Sequence, residues 1–417
     1  MAQAASTGPL RVGLLGSGFI ARFHLQGFVG VRNVQVAGVF SPNPHHRDEV
    51  ASLANRLDLG PCATYASAEE LAASPQIDAV WICGPNDTRV EHLRAIHRVV
   101  QEGRGTLRGV ACEKPLARTL AEAREILRLA EDAGLNHGYL ENQVFAPAVQ
   151  RGKEIIWRRG VPSAGRPYLA RAAEEHSGPH APWFWRGEKQ GGGVLLDMMC
   201  HSVEAARYLL TEPGKGRDSL TPVSANATVA NLKWTRPAYA QRLRETMGPD
   251  VDYTRRPSED FARGILTYQD EEGNRVLVEA TTSWSYVGPG LRLRLELLGP
   301  EYAMEYSSLN AGLDIFFSRH VTGGAGEDLV EKQNAEQGLM PVLEDEAGAY
   351  GYTAEDRHMV EAFRKGTTPG ETFRDGVAVV EALMALYRSA ELGQTVNLPA
   401  PELEDYVPPV ARGEAQP

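Results

Sequence analysis

Within G-G-G-V-L-L-D-M-M-C-H, residues 191–201, an acid and an imidazole stand four apart: Asp197 and His201. On a helix that spacing puts both on one face. The apolar residues between and around them read as a buried helix, where an ionised carboxylate is costly unless something pairs with it. The imidazole suits that task, and near its ordinary pKa it can also take and return a proton at neutral pH. The same pair could instead only tie the helix down, and the rest of the chain must decide. The three glycines let backbone turn, or approach something closely, without steric cost. Just upstream, Glu174–Arg186 (E-E-H-S-G-P-H-A-P-W-F-W-R) supplies His176, His180, Trp183 and Trp185. Flat apolar rings with hydrogen-bond donors at their rims match the C–H faces and hydroxyls of a sugar ring. His176, His180, Asp197 and His201 are also metal-ligand types, so hydrolysis or lyase chemistry at a divalent ion is a competing expectation.

A second constellation lies at the start of the chain. The apolar strand Arg11–Leu15 runs into G-S-G-F-I-A and then a helix-compatible stretch to Val29. In such a strand, glycine turn and helix, Gly16 permits the tight turn and Gly18 lets a pyrophosphate near the backbone. Ala21 is small enough for the helix to pack on the strand. A second strand, Val34–Phe40, ends where a ribose-reading residue belongs. No acid stands there: Ser41 does, with His45, His46 and Arg47 close behind. A small hydroxyl with a nearby cation accommodates a 2′-phosphate, which leans the expected cofactor from NAD toward NADP. Ile77–Cys83 is apolar on both faces, as a central parallel strand should be, and ends in Gly84–Pro85–Asn86. Val110–Cys112 delivers Glu113–Lys114–Pro115 to the same carboxyl edge. Asn142, with Tyr139 and Gln143 at a later strand end, is a further expected pocket residue.

The elements that must position these groups follow from the pattern. Alternating strand and helix over the first part of the chain predicts a right-handed parallel sheet. Helices are expected over Ser67–Ala73, Glu91–Val100 and from Thr119 to Gly134, the first and last with capping boxes. Beyond Gly160 the runs Arg166–Ala173, Val223–Trp234, Ala262–Tyr268, Arg275–Tyr286, Leu291–Leu298 and Tyr302–Tyr306 read as strands, several alternating apolar and polar. That predicts an antiparallel sheet with one face backed by helices and the other open to a second subunit. Asp270–Asn274 reads as a hairpin turn. Residues 236–259 and 322–345 look like surface insertions, and helices Ala354–Lys365 and Gly376–Leu392 close the chain. The expected domains are 1–140, 141–398 and a Pro-rich acidic tail, 399–417, either strap or disordered.

At 417 residues and 42% hydrophobic content the chain can bury two cores. A formal net charge of -11 argues against a nucleic-acid partner, and Thr254–Arg255–Arg256 is an isolated basic spot. The four cysteines lack metal or disulfide spacing and read as reduced thiols. No export signal and no membrane-length apolar run is visible, so a cytoplasmic protein is expected.

With the glycine turn, E-K-P and G-G-G…D…H in order, the chain resembles the glucose–fructose oxidoreductase / inositol dehydrogenase (Gfo/Idh/MocA) family. The resemblance implies a Rossmann domain followed by an α/β domain on an open, mostly antiparallel sheet. It also implies an NAD(P)-dependent oxidoreductase acting on a secondary hydroxyl or ketone of a sugar, cyclitol or glycoside, assembled as a homodimer or homotetramer through that sheet. Gly16, Ser17, Gly18, Phe19 and Ile20 would hold the pyrophosphate, Ser41 the adenosine ribose, and Pro85 and Asn86 the nicotinamide half. Glu113 matches the acid of E-K-P, and Lys114 would reach both cofactor and substrate. Asp197 and His201 match the family's D-x-x-x-H. Two departures stand out: Arg89 where the family often has His, and Met199 where it often has Gly. Some relatives use tightly bound NAD as an internal redox catalyst for glycoside cleavage, an alternative that stays open.

Overall fold

The computed structural model describes residues 8–414 apart from 255–257, 311–312, 318–327, 329, 334 and 336. Arg255 and Arg256 of the basic spot, and residues 322–327, 329, 334 and 336 of the 322–345 insertion, lie outside the described residues. The chain forms two compact units, residues 1–147 with 347–378, and residues 148–346 with 379–417.

In the first unit six parallel strands, β1 (Leu10–Leu15), β2 (Val34–Phe40), β3 (Ala63–Thr64), β4 (Ala79–Ile82), β5 (Gly109–Glu113) and β6 (Asn136–Leu140), are arranged in the order 3-2-1-4-5-6. This is the doubly wound arrangement, whose strand order reverses between β1 and β4. Helices Phe19–Val29, Pro44–Arg56, Arg89–Gln101 and Leu120–Asp132 alternate with the strands. The capping signals act as read: Glu70 N–H donates to Ser67 Oγ (3.0 Å) and Glu122 N–H to Thr119 Oγ1 (3.3 Å). The unit also takes up the later helix Tyr352–Lys365, placed by sequence in the second domain. It packs on Phe19–Val29 so closely that a Cβ at Gly27 would lie 2.8 Å from Asp356 Oδ2. Apolar periodicity marks such a helix as half-buried but does not say which core it covers.

The second unit holds a seven-stranded, mostly antiparallel sheet in the order β12-β11-β7-β10-β9-β8-β15. Its members are β7 (Leu169–Glu175), β8 (Thr221–Ala230), β9 (Phe261–Gln269), β10 (Arg275–Ser283), β11 (Arg292–Gly299), β12 (Tyr302–Ser307) and β15 (Val396–Asn397), with only β7 and β10 paired in parallel. A separate ribbon pairs β13 (Leu313–Phe317) with β14 (Gly338–Val342). The turn Asp270–Asn274 closes as expected, with Asp270 Oδ1 accepting from Glu272 and Asn274 N–H. The helix Val194–Leu210 lies against β7 and β10 and is buried at every residue except Tyr208. The segment 236–259 is not wholly a surface insertion. It carries a helix, Pro237–Met247, and Tyr253, Ser258 and Glu259 are fully buried. The tail is a strap, with Leu403, Tyr406 and Val410 buried and the Val410 carbonyl 2.3 Å from where a Gly187 Cβ would sit.

Candidate functional site

The glycine turn of the first unit is shaped as its residues require. Gly16 has φ +125°, and a Cβ there would sit 2.7 Å from the Cys83 carbonyl carbon at the end of β4. Gly18 has open space where a Cβ would go and precedes a helix whose start carries no side-chain cap, with Phe19 exposed and Ile20 half-buried. An uncapped N-terminus behind a close-approach glycine fits the pyrophosphate of a dinucleotide. Ser17 and Ser41 are buried, and Ser17 Oγ donates to Ser41 Oγ at 2.8 Å. Arg47 donates to the Tyr65 carbonyl at 3.0 Å. Ser41 is thus paired with Ser17, and Arg47 uses one nitrogen on the Tyr65 carbonyl while its buried Nε has no hydrogen-bond partner among the described residues.

At the carboxyl edge Pro85 is half-buried and Asn86 buried. Arg89, 3% exposed, points into the edge. Its guanidinium donates to the carbonyls of Gly84 (3.3 Å), Glu113 (2.5 Å), Lys114 (3.1 Å) and Pro115. A planar fork of donors is suited to gathering several carbonyls, so Arg89 sews the β4 loop to the E-K-P loop. Glu113 faces inward: Oε2 accepts the Lys114 N–H at 3.0 Å, and Oε1 accepts from His24 Nε2 at 3.0 Å. His24 Nδ1 donates to Asp356 at 2.9 Å, and Trp81 Nε1 donates to the same carboxylate at 3.1 Å. Burial alone would lower the His24 pKa. The Asp356 charge and the hydrogen bonds to Asp356 and Glu113 outweigh it and hold the imidazole charged well above its ordinary range. Burial pushes the adjoining Glu355 carboxyl well up; it is fully enclosed and neither oxygen has a hydrogen-bond partner among the described residues. Lys114 itself is half-buried. Asn142 is buried and donates to the Tyr350 carbonyl at 2.8 Å.

In the second unit Asp197 and His201 are both buried on the helix Val194–Leu210, one turn apart. Cys200 Sγ donates to the Asp197 carbonyl at 3.1 Å. Across from the helix, Glu174 continues the inward phase of Ala170 and Ala172 on β7, and its Oε2 lies 4.0 Å from His201 Nε2. The glycine triplet approaches Glu259 and Tyr387. Glu259 Oε1 accepts from Gly193 N–H (3.0 Å), Leu195 N–H (3.1 Å) and Tyr387 O–H (2.5 Å), while Tyr387 Oη accepts from Gly193 and Leu196 N–H. A Cβ at Gly192 would lie 2.2 Å from Tyr387 Oη, and one at Gly193 2.4 Å from Glu259 Oε2. The helix start that carries the acid–imidazole pair is thus fixed by a carboxyl and a phenol.

The upstream aromatics divide. Trp185, 1% exposed, belongs to a core cluster with Trp234, Tyr253 and Trp284, ring centroids 5.1–6.0 Å away. Trp183 is half-buried and stacks on Phe184 at 3.8 Å. His176 is buried, its Nδ1 accepting from Gly178 N–H at 2.9 Å. His180 Nδ1 accepts from Lys332 Nζ at 2.7 Å. Burial, then the Lys332 charge, push His180 down to about 4 against an opposing pull from Asp197. Among the described residues His176, His180, Asp197 and His201 do not gather as a metal-ligand group.

Sequence reasoning missed Glu174, Glu259, Tyr387, His24 and Asp356. Glu174 was within reach of the alternation along β7, and His24 was a polar residue within an apolar helix. For the others no local signal exists.

Residues 10–139 match a family model described as an oxidoreductase family with an NAD-binding Rossmann fold, and residues 163–304 match the GFO/IDH/MocA C-terminal domain. The chain is 31% identical over 204 residues to 1,5-anhydro-D-fructose reductase from Ensifer adhaerens, covering 48% of this chain and 57% of that one. It is 27% identical over 225 residues to inositol 2-dehydrogenase from Rhizobium meliloti (strain 1021), covering 54% and 59%. The chain thus spans a little over half the length of these curated relatives. The structure of GenD2 from gentamicin A biosynthesis, in complex with NAD, superposes with a TM-score of 0.74 over 96% of this chain and 100% of that one, at 24% identity, a likeness of fold.

Proposed function

The chain belongs to the GFO/IDH/MocA oxidoreductase family, and on that premise we propose that it moves a hydride between NAD and a secondary hydroxyl or ketone of a sugar, cyclitol or glycoside. The observation that carries the reading is the pair Asp197 and His201, buried one turn apart on a helix whose start is pinned by Glu259 and Tyr387. Such an anchored acid–imidazole pair is suited to proton transfer at a hydroxyl.

Gly16, Ser17, Gly18, Phe19 and Ile20 hold the pyrophosphate in this reading, with Ser41 at the ribose and Pro85 and Asn86 toward the nicotinamide. Bound there, NAD supplies the two-electron acceptor. The family model's description as an NAD-binding Rossmann fold supports NAD. His201 takes the hydroxyl proton at Nε2, and Glu174, 4.0 Å from that atom, favours the imidazolium that results. Asp197 orients the imidazole or a neighbouring hydroxyl. Lys114, assigned by its place in Glu113–Lys114–Pro115, polarises the reacting oxygen by charge. Trp183 and His176 are the ring-facing residues retained from the upstream segment, with Asn142 a further wall residue.

The test is a panel of sugars, cyclitols and glycosides with NAD and NADP supplied separately, following reduced cofactor at its absorbance band. His201→Ala is expected to lower turnover on the active compound by 10²–10⁴-fold, the usual worth of a general base, with the melting profile kept. An unchanged rate removes His201 from the chemistry. Glycoside cleavage without accumulation of reduced cofactor would replace net oxidation with internal redox.

A further inference from the structure

We propose that His24 is a positioning residue that sets the place of Lys114 by way of Glu113, joining the cofactor-binding helix, the E-K-P loop and the returning helix Tyr352–Lys365 in one buried network. The inference rests on the reading that Lys114 works at the reacting centre. His24 sits one turn into the helix that follows the glycine bend, with no solvent exposure. One ring nitrogen holds Glu113 and the other holds Asp356. Glu113 uses its second oxygen on the Lys114 N–H. Asp356 is steadied in turn by Trp81 at the core of the sheet. Three elements far apart in sequence thus meet on one imidazole, and the backbone that presents Lys114 hangs from it.

This arrangement matters because charge stabilisation of a reacting oxygen depends on placement, and a shift of about 1 Å costs about a hundredfold in rate. Arg89 holds the carbonyls of the same loop, so His24 and Arg89 grip Lys114 from its N–H side and its carbonyl side respectively. The His24–Glu355–Asp356 cluster also has the composition of a metal site. Both ring nitrogens of His24 are committed to carboxylates, however, and the network accounts for them without an ion.

Two substitutions separate positioning from plain stability. His24→Gln places an amide donor where Nε2 stood, toward Glu113. His24→Asn places one where Nδ1 stood, toward Asp356. The readout is the rate at which acetic anhydride labels Lys114 in protein saturated with NAD, quantified by peptide mass spectrometry, beside NADH affinity by fluorescence and the melting temperature. The expected result is a Lys114 labelling rate within about twofold of wild type for His24→Gln but changed about tenfold or more for His24→Asn, the scale of a lost charge-assisted hydrogen bond. Equal labelling in both variants, whether changed or unchanged, overturns the proposal, because a merely structural imidazole would not distinguish its two edges. If neither variant folds, Glu113→Gln probes the same link: unchanged Lys114 labelling there overturns it, and a change like that expected of His24→Asn supports it. Lys114→Ala assayed on the substrate panel tests the underlying reading separately. Normal turnover in that variant defeats the role of Lys114 while leaving the labelling comparison intact as a statement about the loop.

Discussion

Replacing Glu259 by Gln should change how the second unit's stability depends on pH. The Glu259 carboxyl is fully buried, and burial pushes it up to about 7 although the Tyr387 hydroxyl and the N–H groups of Gly193 and Leu195 pull it down. A folded-state value above the unfolded 4.5 means that the stability it contributes is fully present below pH 4.5 and is lost as pH rises through 7. The rise from 4.5 to about 7 corresponds to about 3 kcal/mol lost by pH 8. Glutamine keeps an oxygen that can accept from the same three donors but cannot ionise. The variant should therefore match wild type at pH 4.5–5 and exceed it by about 2–3 kcal/mol at pH 8. The assay is urea denaturation followed by tryptophan fluorescence, which reports Trp185, Trp234 and Trp284 in the same unit, repeated across that pH range. Only the difference between the two proteins is read, so other titrating groups cancel. A difference that stays constant with pH would refute the claim that Glu259 ionises at a cost where it stands.

Three further outcomes follow from the same geometry. Gly193→Ala should destabilise the second unit by about 2 kcal/mol or more, since the new Cβ meets Glu259 Oε2 at 2.4 Å and the Glu259 backbone nitrogen at 2.7 Å; a melting curve like wild type's would contradict it. Arg89→Met strips donors from four carbonyls of the first unit's edge. It should cost about 3 kcal/mol and speed hydrogen exchange at Glu113, Lys114 and Leu116, and unchanged exchange there would show that the loop is held by other means. Lys332→Met removes the cation beside His180, so the His180 titration followed by NMR should move up from about 4. No movement would mean that burial alone sets it.

Much of this architecture could be read from the residues. The central parallel strands follow from apolar runs such as Arg11–Leu15, Val34–Phe40 and Ile77–Cys83, whereas β3 is two exposed residues, Ala63 and Thr64, with no such signal, and the second sheet follows from alternation along segments such as Arg275–Ser283. Capping at Ser67 and Thr119 is local chemistry and appears where the letters put it. Periodicity gives the face a side chain takes, however, and not what stands opposite. Trp185 illustrates the limit: its position looked suited to a sugar, yet it packs against Trp234, Tyr253 and Trp284, which come from 49, 68 and 99 residues further along the chain. The helix Tyr352–Lys365 was visible as a helix, but its attachment to the first unit depends on Asp356 meeting His24 across 332 residues.

The polar residues set within apolar runs carry the rule further. Asp197 and His201 were conspicuous because each interrupts a buried helix; His24 interrupts the helix Phe19–Val29 in the same way, and Glu174 the inward phase of β7. Burying such a group unpaired is expensive, so each one implies a partner. The partner's position is fixed by topology alone, which is why Glu259 and Tyr387, 66 and 194 residues beyond Gly193, could not be found locally. Two of the three glycines make the same point from the opposite direction: Gly192 and Gly193 are small because a phenol and a carboxyl already occupy the space beside them, while Gly191 takes a left-handed φ of +95°. The motif read as an approach to a ligand is therefore first an approach to the protein's own anchor, and any chemistry of Asp197 and His201 depends on how firmly that anchor holds their helix.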